Sequence, residues 1–225
     1  MYAYQKTNRY FAQIADGLEE LGKDELLALG ADQVQPVYRG LYFEADQSAL
    51  YRINYCSRLC TRILAPLLSF DCHSAKYLRR TAGKLNWEEF LAPGHTFAVT
   101  ATVSHSRIRH SHYAALCVKD AVVDRLRDLR GQRPDVDRRR PDLWLHLHLQ
   151  NNRAVLNVDT SGGSLHRRGY RLETQEAPMQ ETLAAAILEL SGWEGEQPLV
   201  DPLCGSGTLL AEALMRYCRV PAGYL

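Results

Sequence analysis

The 225-residue chain is 46% hydrophobic and 24% charged, with a net charge of +1; this suits a packed protein of one to three domains and excludes wholesale disorder. No run of 18 apolar residues occurs and no apolar leader core opens the chain, so no membrane segment or secretory signal is expected and a cytoplasmic location is. The six cysteines, Cys56, Cys60, Cys72, Cys117, Cys204 and Cys218, form no CxxC pair, a pattern of reduced thiols rather than of a disulfide framework or zinc ribbon.

Tyr10 to Ile14 reads as a first strand. Asp16 stands where an N-cap belongs, ahead of Leu18, Leu21, Leu26 and Leu29, and Gly30 is placed to stop that helix. Val34–Tyr38 and Leu41–Glu44 form a hairpin through Arg39-Gly40. Asp46 or Ser48 caps a second helix through Leu50, Ile53 and Ser57, whose Cys56 shares a face with Cys60, and Thr61–Leu64 is a fourth strand. The order βαββαβ is the split ferredoxin-like unit, a scaffold with many uses.

A second unit follows. Ser74–Leu85 reads as a helix carrying Lys76, Arg79, Arg80 and Lys84, and Pro93-Gly94 breaks the chain before a strand at Thr96–Val103. In His112–Arg130, Ala115, Val118, Val122, Leu126 and Leu129 repeat at helical intervals, and Gly131 and Pro134 end the helix. Leu143, Leu145, Leu147 and Leu149 alternate with Trp144, His146 and His148, the pattern of a half-buried strand with the histidines on its wet face. Asn151-Asn152 suits a tight turn back through Ala154–Val158. Asp159–Glu176 is polar and glycine-rich, a linker or a binding loop. Pro178 opens a helix containing Thr182, Leu183, Ile187 and Leu190.

The net charge of +1 hides clusters: seven arginines against three aspartates from Arg125 to Arg140, and Arg167, Arg168 and Arg171 with no acid between them. Such clusters are either solvated faces or phosphate-binding patches. Arginines beside Tyr170 in a glycine-bearing segment can pair with phosphates and stack on bases. His105, His110 and His112 near Cys117 lack paired ligand spacing and suit a polar, RNA-facing loop better than a metal site; no metal is expected.

The string LVDPLCGSGTLLAEAL, Leu199 to Leu214, reads as strand, glycine turn and helix. Gly205 and Gly207 allow a sharp bend and a close ligand approach. Thr208 is placed to cap the helix, whose free N–H groups favour a negative ligand group, and Asp201 ends the strand where a doubly wound sheet presents side chains to its ligand. No GK[ST] follows, which excludes a Walker A loop. Cys204 has no base placed to activate it and reads as a small packed residue.

DPLCGSGTLLAEA, APMQETLAAAIL and NVDTSGGSLHRRGYR together resemble the class I S-adenosylmethionine-dependent RNA methyltransferases that carry a THUMP domain, above all the bacterial 23S rRNA guanine-N2 methyltransferases; SHSRIRHSHYAALCVKDAVVDRLR is similar to their THUMP segment. The resemblance implies an α+β chain: a ferredoxin-like domain at 1–68, a THUMP RNA-binding domain at 69–160, a linker at 161–176 and the first elements of a Rossmann-like methyltransferase domain at 177–225. It implies S-adenosyl-L-methionine as cofactor, lined at its methionine end by Asp201, Pro202, Cys204, Gly205, Ser206, Gly207 and Thr208, with Thr182 in the segment that closes over that end. RNA, 23S rRNA by the resemblance, would be met by Lys76, Arg79, Arg80, Lys84, Arg107, Arg109, His110, Arg167, Arg168 and Arg171. The family's ribose-binding acid and its [ND]PP[YF] motif would fall beyond Leu225, so the chain is expected to be the N-terminal part of a longer enzyme and inactive alone. Two readings stay open beside this one: a tRNA guanine-N2 methyltransferase, and a THUMP module that delivers RNA to another activity, which would have no need of the 201–208 turn.

Overall fold

A computed structural model describes residues 1–171 and 178–224. The chain runs α1 (Ala3–Thr7), β1 (Arg9–Gln13), α2 (Glu19–Ala28), β2 (Asp32–Val37), β3 (Gly40–Glu44), α3 (Gln47–Cys56), β4 (Arg62–Asp71), α4 (Ala75–Ala82), a 3-10 turn (Trp87–Glu89), β5 (Phe97–Ser104), α5 (Ser111–Arg130), β6 (Leu143–Gln150), β7 (Arg153–Asp159), α6 (Glu181–Ser191) and α7 (Thr208–Tyr217). The class is α+β, as expected. Residues 172–176 of the expected linker lie outside the described residues. Two compact units divide the chain: Met1–Lys6 with Leu64–Gly163, and Thr7–Ile63 with Ser164–Leu225.

In the unit containing residues 7–63, β2, β3 and β1 form an antiparallel sheet in which Phe11 faces Tyr42 and Ala12 faces Leu41. The period of two puts Tyr10, Ala12, Leu41 and Phe43 on one buried face, where Leu26 of α2 and Ile53 of α3 are also buried. Gly40 is needed at its place, because a Cβ there would come within 2.1 Å of the Phe11 ring. Asp46 caps α3 through its carboxylate, which accepts the Ala49 N–H at 2.7 Å. Asp16 does not cap α2: it is spent in a turn with Gly17 (φ +81°), and Leu18 occupies the N-cap with no side-chain bond. Helix α3 stops at Cys56, so Cys60, which is fully buried, does not share its face.

In the other unit β5 and β6 pair in parallel, β6 and β7 antiparallel, and β7 pairs antiparallel with the 64–71 stretch of β4. Helix α5 packs on β5, and α4 packs on α5. Trp87, Phe97, Leu126 and Leu145 form the centre of the core. The Trp87 indole donates to the Ala82 carbonyl at 2.9 Å, satisfying its buried N–H. Gly131 ends α5 in the left-handed conformation (φ +70°). The first residues belong to this unit: Tyr2 packs its ring 4.8 Å from Phe90 and donates to Glu89 at 3.0 Å. Burial and the neighbouring Glu89 push the Tyr2 phenol up to about 12. His146 is buried, against the expectation of a solvated face. Strand β6 has a partner on each side, and His146 bonds the Thr100 hydroxyl at 2.9 Å on β5 instead of meeting water. Among the described residues no helix is long and apolar enough to cross a membrane.

Candidate functional site

Helices α6 and α7 pack together and the expected cofactor turn lies between them in sequence. No strand forms at Leu199–Val200 among the described residues. A strand needs a neighbour for its ladder bonds, and here Val200 is 79% and Leu203 91% exposed. The glycines behave as the sequence requires: Gly205 and Gly207 adopt φ +54° and +72°. The cap is shifted by one residue, because Gly207 is the N-cap and makes no side-chain bond, while Thr208 is the first helical residue and is buried. The Asp201 carboxylate accepts the Leu203 N–H at 3.1 Å and shapes the turn, and the Ser206 and Thr208 hydroxyls lie 3.1 Å apart.

Pro202, Cys204, Gly205 and Ser206 are exposed, and a Cβ built on Gly207 would meet nothing within 4 Å. A helix start with no side-chain acceptor, two left-handed glycines and open space beside Gly207 fit the polar end of a zwitterionic cofactor such as S-adenosylmethionine. Thr182 is buried in the first turn of α6.

Two arginines assigned to RNA by sequence serve this region instead. Arg168 has a side chain 1% exposed, and its Nε bonds Glu212 Oε1 at 3.2 Å on α7. Its other nitrogens donate to the carbonyls of Leu165 (3.0 Å), Ser57 (3.4 Å) and Arg58 (2.7 Å). Glu212, itself fully buried, also accepts from the Tyr170 hydroxyl at 3.1 Å and pairs with Arg58 at 3.5 Å. Burial raises the Tyr170 phenol above its usual range, with the Glu212 charge adding to it. Glu25 secures the same place by accepting from the Ser57 hydroxyl (2.7 Å) and the Arg58 N–H (2.6 Å); burial lifts its carboxyl above the ordinary value. Arg171 is the second correction. Its Nη2 reaches Thr208 Oγ1 (3.0 Å), the Met179 carbonyl (3.0 Å) and Glu181 Oε1 (3.1 Å). Glu212, 44 residues from Arg168, and Glu181, at the start of α6, decide the fate of these arginines, and no local motif marks either as an arginine partner. Arg167 remains exposed.

The remaining cations belong to the other unit. Lys76, Arg80 and Lys84 are exposed on or just after α4, with Leu78 and Ala82 turned into the core; Arg80 lies 5.1 Å from the Tyr77 ring. Arg79 is exposed too, but its guanidinium is held by Asp124 of α5, which keeps that carboxyl below its usual range. Arg107, Arg109 and His110 are exposed on the loop before α5, while Ile108 between them is buried. The loop is shaped by Asn152, a residue the sequence offered only as a turn former. Its side-chain oxygen accepts the Arg107 N–H (2.9 Å), its carbonyl accepts the Cys72 N–H just before α4 (2.6 Å), and its own N–H donates to Ser106 Oγ (3.0 Å). One turn thus anchors the backbone of both basic segments.

Family models match three consecutive parts: an RlmL ferredoxin-like domain at residues 9–64, a THUMP domain at 72–159 and an RMKL-like methyltransferase domain at 168–225. The chain is 43% identical over 222 residues to slr0064 of Synechocystis sp., named as a candidate RNA methyltransferase, with 98% of this chain covered. It is 46% identical over 211 residues to the ribosomal RNA large subunit methyltransferase K/L of Syntrophotalea carbinolica, with 92% of this chain covered. The chain spans 58% of the first relative and 30% of the second. Among solved structures, SMU.472 complexed with SAH is similar with a TM-score of 0.80 and 30% identity, over 96% of this chain and 57% of that one.

Proposed function

We propose, for a chain that belongs to the THUMP-bearing, S-adenosylmethionine-dependent RNA methyltransferases, that it binds structured RNA through residues of its 64–163 unit and contributes the methionine end of the cofactor site to methylation of guanine N2 in 23S rRNA. The observation that carries this reading is the 201–208 turn: an open, glycine-built helix start that an RNA-delivery module does not require. The bound cofactor supplies an electrophilic methyl group. The N–H groups at the start of α7 would favour its anionic end, Gly205 and Gly207 would let the backbone approach closely, and Thr182 and Thr208, buried in the first turns of α6 and α7, would support the site from behind. With Pro202 to Ser206 exposed, cofactor binding to residues 1–225 alone is expected to be weak and turnover absent. Within the 64–163 unit Lys76, Arg80, Lys84, Arg107, Arg109 and His110 are exposed and would meet RNA phosphates; Arg167, in the other unit, is exposed as well.

The test is nucleoside mass spectrometry of 23S rRNA and tRNA from cells with and without the gene. Loss of N2-methylguanosine from 23S rRNA alone supports the reading. Its loss from tRNA alone, or unchanged methylation in both, refutes the substrate assignment.

A further inference from the structure

We infer that Arg171 is a positioning residue for the cofactor turn, acting through Thr208. The inference rests on the reading of the 201–208 turn as a cofactor site. Three acceptors from separate places converge on one guanidinium nitrogen: the Thr208 hydroxyl at the first position of α7, the Glu181 carboxylate at the first position of α6, and the Met179 carbonyl just ahead of it. Thr208 and Glu181 are both buried, and the Arg171 side chain is 16% exposed. The contact therefore joins the starts of the two helices at whose ends the cofactor residues stand.

A cation beside two helix N-termini is disfavoured by both helix dipoles. Glu181, whose carboxylate sits in the first turn of α6, provides the opposing charge that makes Arg171 tolerable there. The Thr208 hydroxyl, fixed by Arg171 on one side and lying 3.1 Å from Ser206 Oγ on the other, is held inside the turn. Backbone bonds from Gly207 N–H to the Cys204 carbonyl (2.7 Å) and from Ala211 N–H to the Gly207 carbonyl (2.8 Å) close the turn, and the Arg171 bond adds the side-chain hold on the first residue of α7 that Gly207 cannot supply. Arg168 and Tyr170 grip the same helix one turn further on, at Glu212, so α7 is anchored independently of Arg171.

The test follows the amide signals of Gly205, Ser206 and Gly207 by NMR in 15N-labelled protein titrated with S-adenosylhomocysteine. Wild-type signals are expected to move saturably. Arg171→Ala and Thr208→Val are each expected to weaken binding about tenfold, the effect of losing one charge-assisted hydrogen bond. Arg171→Lys should recover part of the loss, since an ammonium keeps the charge but not the planar fork. Arg168→Ala should lower the melting temperature while its folded protein binds within about twofold of wild type, as it leaves Thr208 untouched. If Arg171→Ala does not fold, Arg171→Gln decides, because it removes the charged bond to Thr208 while filling more of the space. Wild-type affinity in Arg171→Ala or Thr208→Val overturns the inference alone, as does an equal loss in folded Arg168→Ala. Wild-type signals that do not move even at the solubility limit of S-adenosylhomocysteine, where weak binding still registers, overturn the cofactor reading, and the inference with it.

Discussion

Two short stretches rich in arginine and histidine, Ser104–His110 and His166–Arg171, look alike as sequence and differ in how their arginines are used. In the first, serine and asparagine groups hold the backbone, and the guanidinium groups of Arg107 and Arg109 stay in water. In the second, Arg168 is turned inward onto Glu212 and Arg171 onto Glu181 and Thr208, leaving Arg167 as the exposed arginine. What separates them is the presence of a buried carboxylate and ordered carbonyls within reach. An arginine without such partners cannot be buried, and a buried carboxylate without its arginine is costly.

The largest effect should come from breaking the inward pair. Arg168→Ala or Glu212→Ala leaves an uncompensated buried charge and should destabilise the protein by about 3–5 kcal/mol. The paired change Arg168→Met with Glu212→Leu should cost clearly less, since no charge is stranded. Urea unfolding measures both, and a single-variant loss below about 1 kcal/mol would erase the contrast between the stretches.

Smaller effects belong to the outward stretch. Arg107→Ala or Arg109→Ala should weaken RNA binding by about 1 kcal/mol and make its salt dependence shallower by about one ion, with melting unchanged. Filter binding at several salt concentrations reads this; a collapse in melting with affinity intact would make these arginines structural. Asn152→Gly keeps the left-handed turn but removes the acceptor for the Arg107 N–H, so RNA binding should fall by up to about 1 kcal/mol with no change of charge. Unchanged affinity in that variant would mean the loop keeps its shape without Asn152.

The smallest effect is a pH dependence. Burial holds the His166 imidazole below its ordinary value of 6.5. Below that pH the unfolded chain takes up the proton more readily than the folded one, so this contribution is present above pH 6.5 and lost as pH falls below 6.5 through the lower folded-state value. Comparing wild type with His166→Gln by urea unfolding at pH 7.5 and 5.5 should show the wild type losing more stability on acidification. An equal loss would place the effect elsewhere.

Local signals in the sequence were sufficient for much of the fold. Asp46 before α3, Gly131 after α5 and Asn151-Asn152 between β6 and β7 each act through neighbours a few residues away, and each does what its chemistry requires. The glycines of the cofactor turn are legible for the same reason. Features set by distant partners were not. Glu212 lies 44 residues from Arg168, and nothing in HRRGYR announces it. His146 looks wet by alternation and is buried, bonded to the Thr100 hydroxyl of β5, a partner 46 residues away. Leu199–Val200 has a strand's composition, but strand structure resides in the pairing, and none forms among the described residues.

Hydrogen–deuterium exchange read by mass spectrometry, with and without a structured 23S rRNA fragment, tests the contrast most directly. RNA should slow the exchange of amides in 105–110 and leave those of 168–171 unchanged. Protection of 168–171 by RNA, with 105–110 unaffected, would contradict the account.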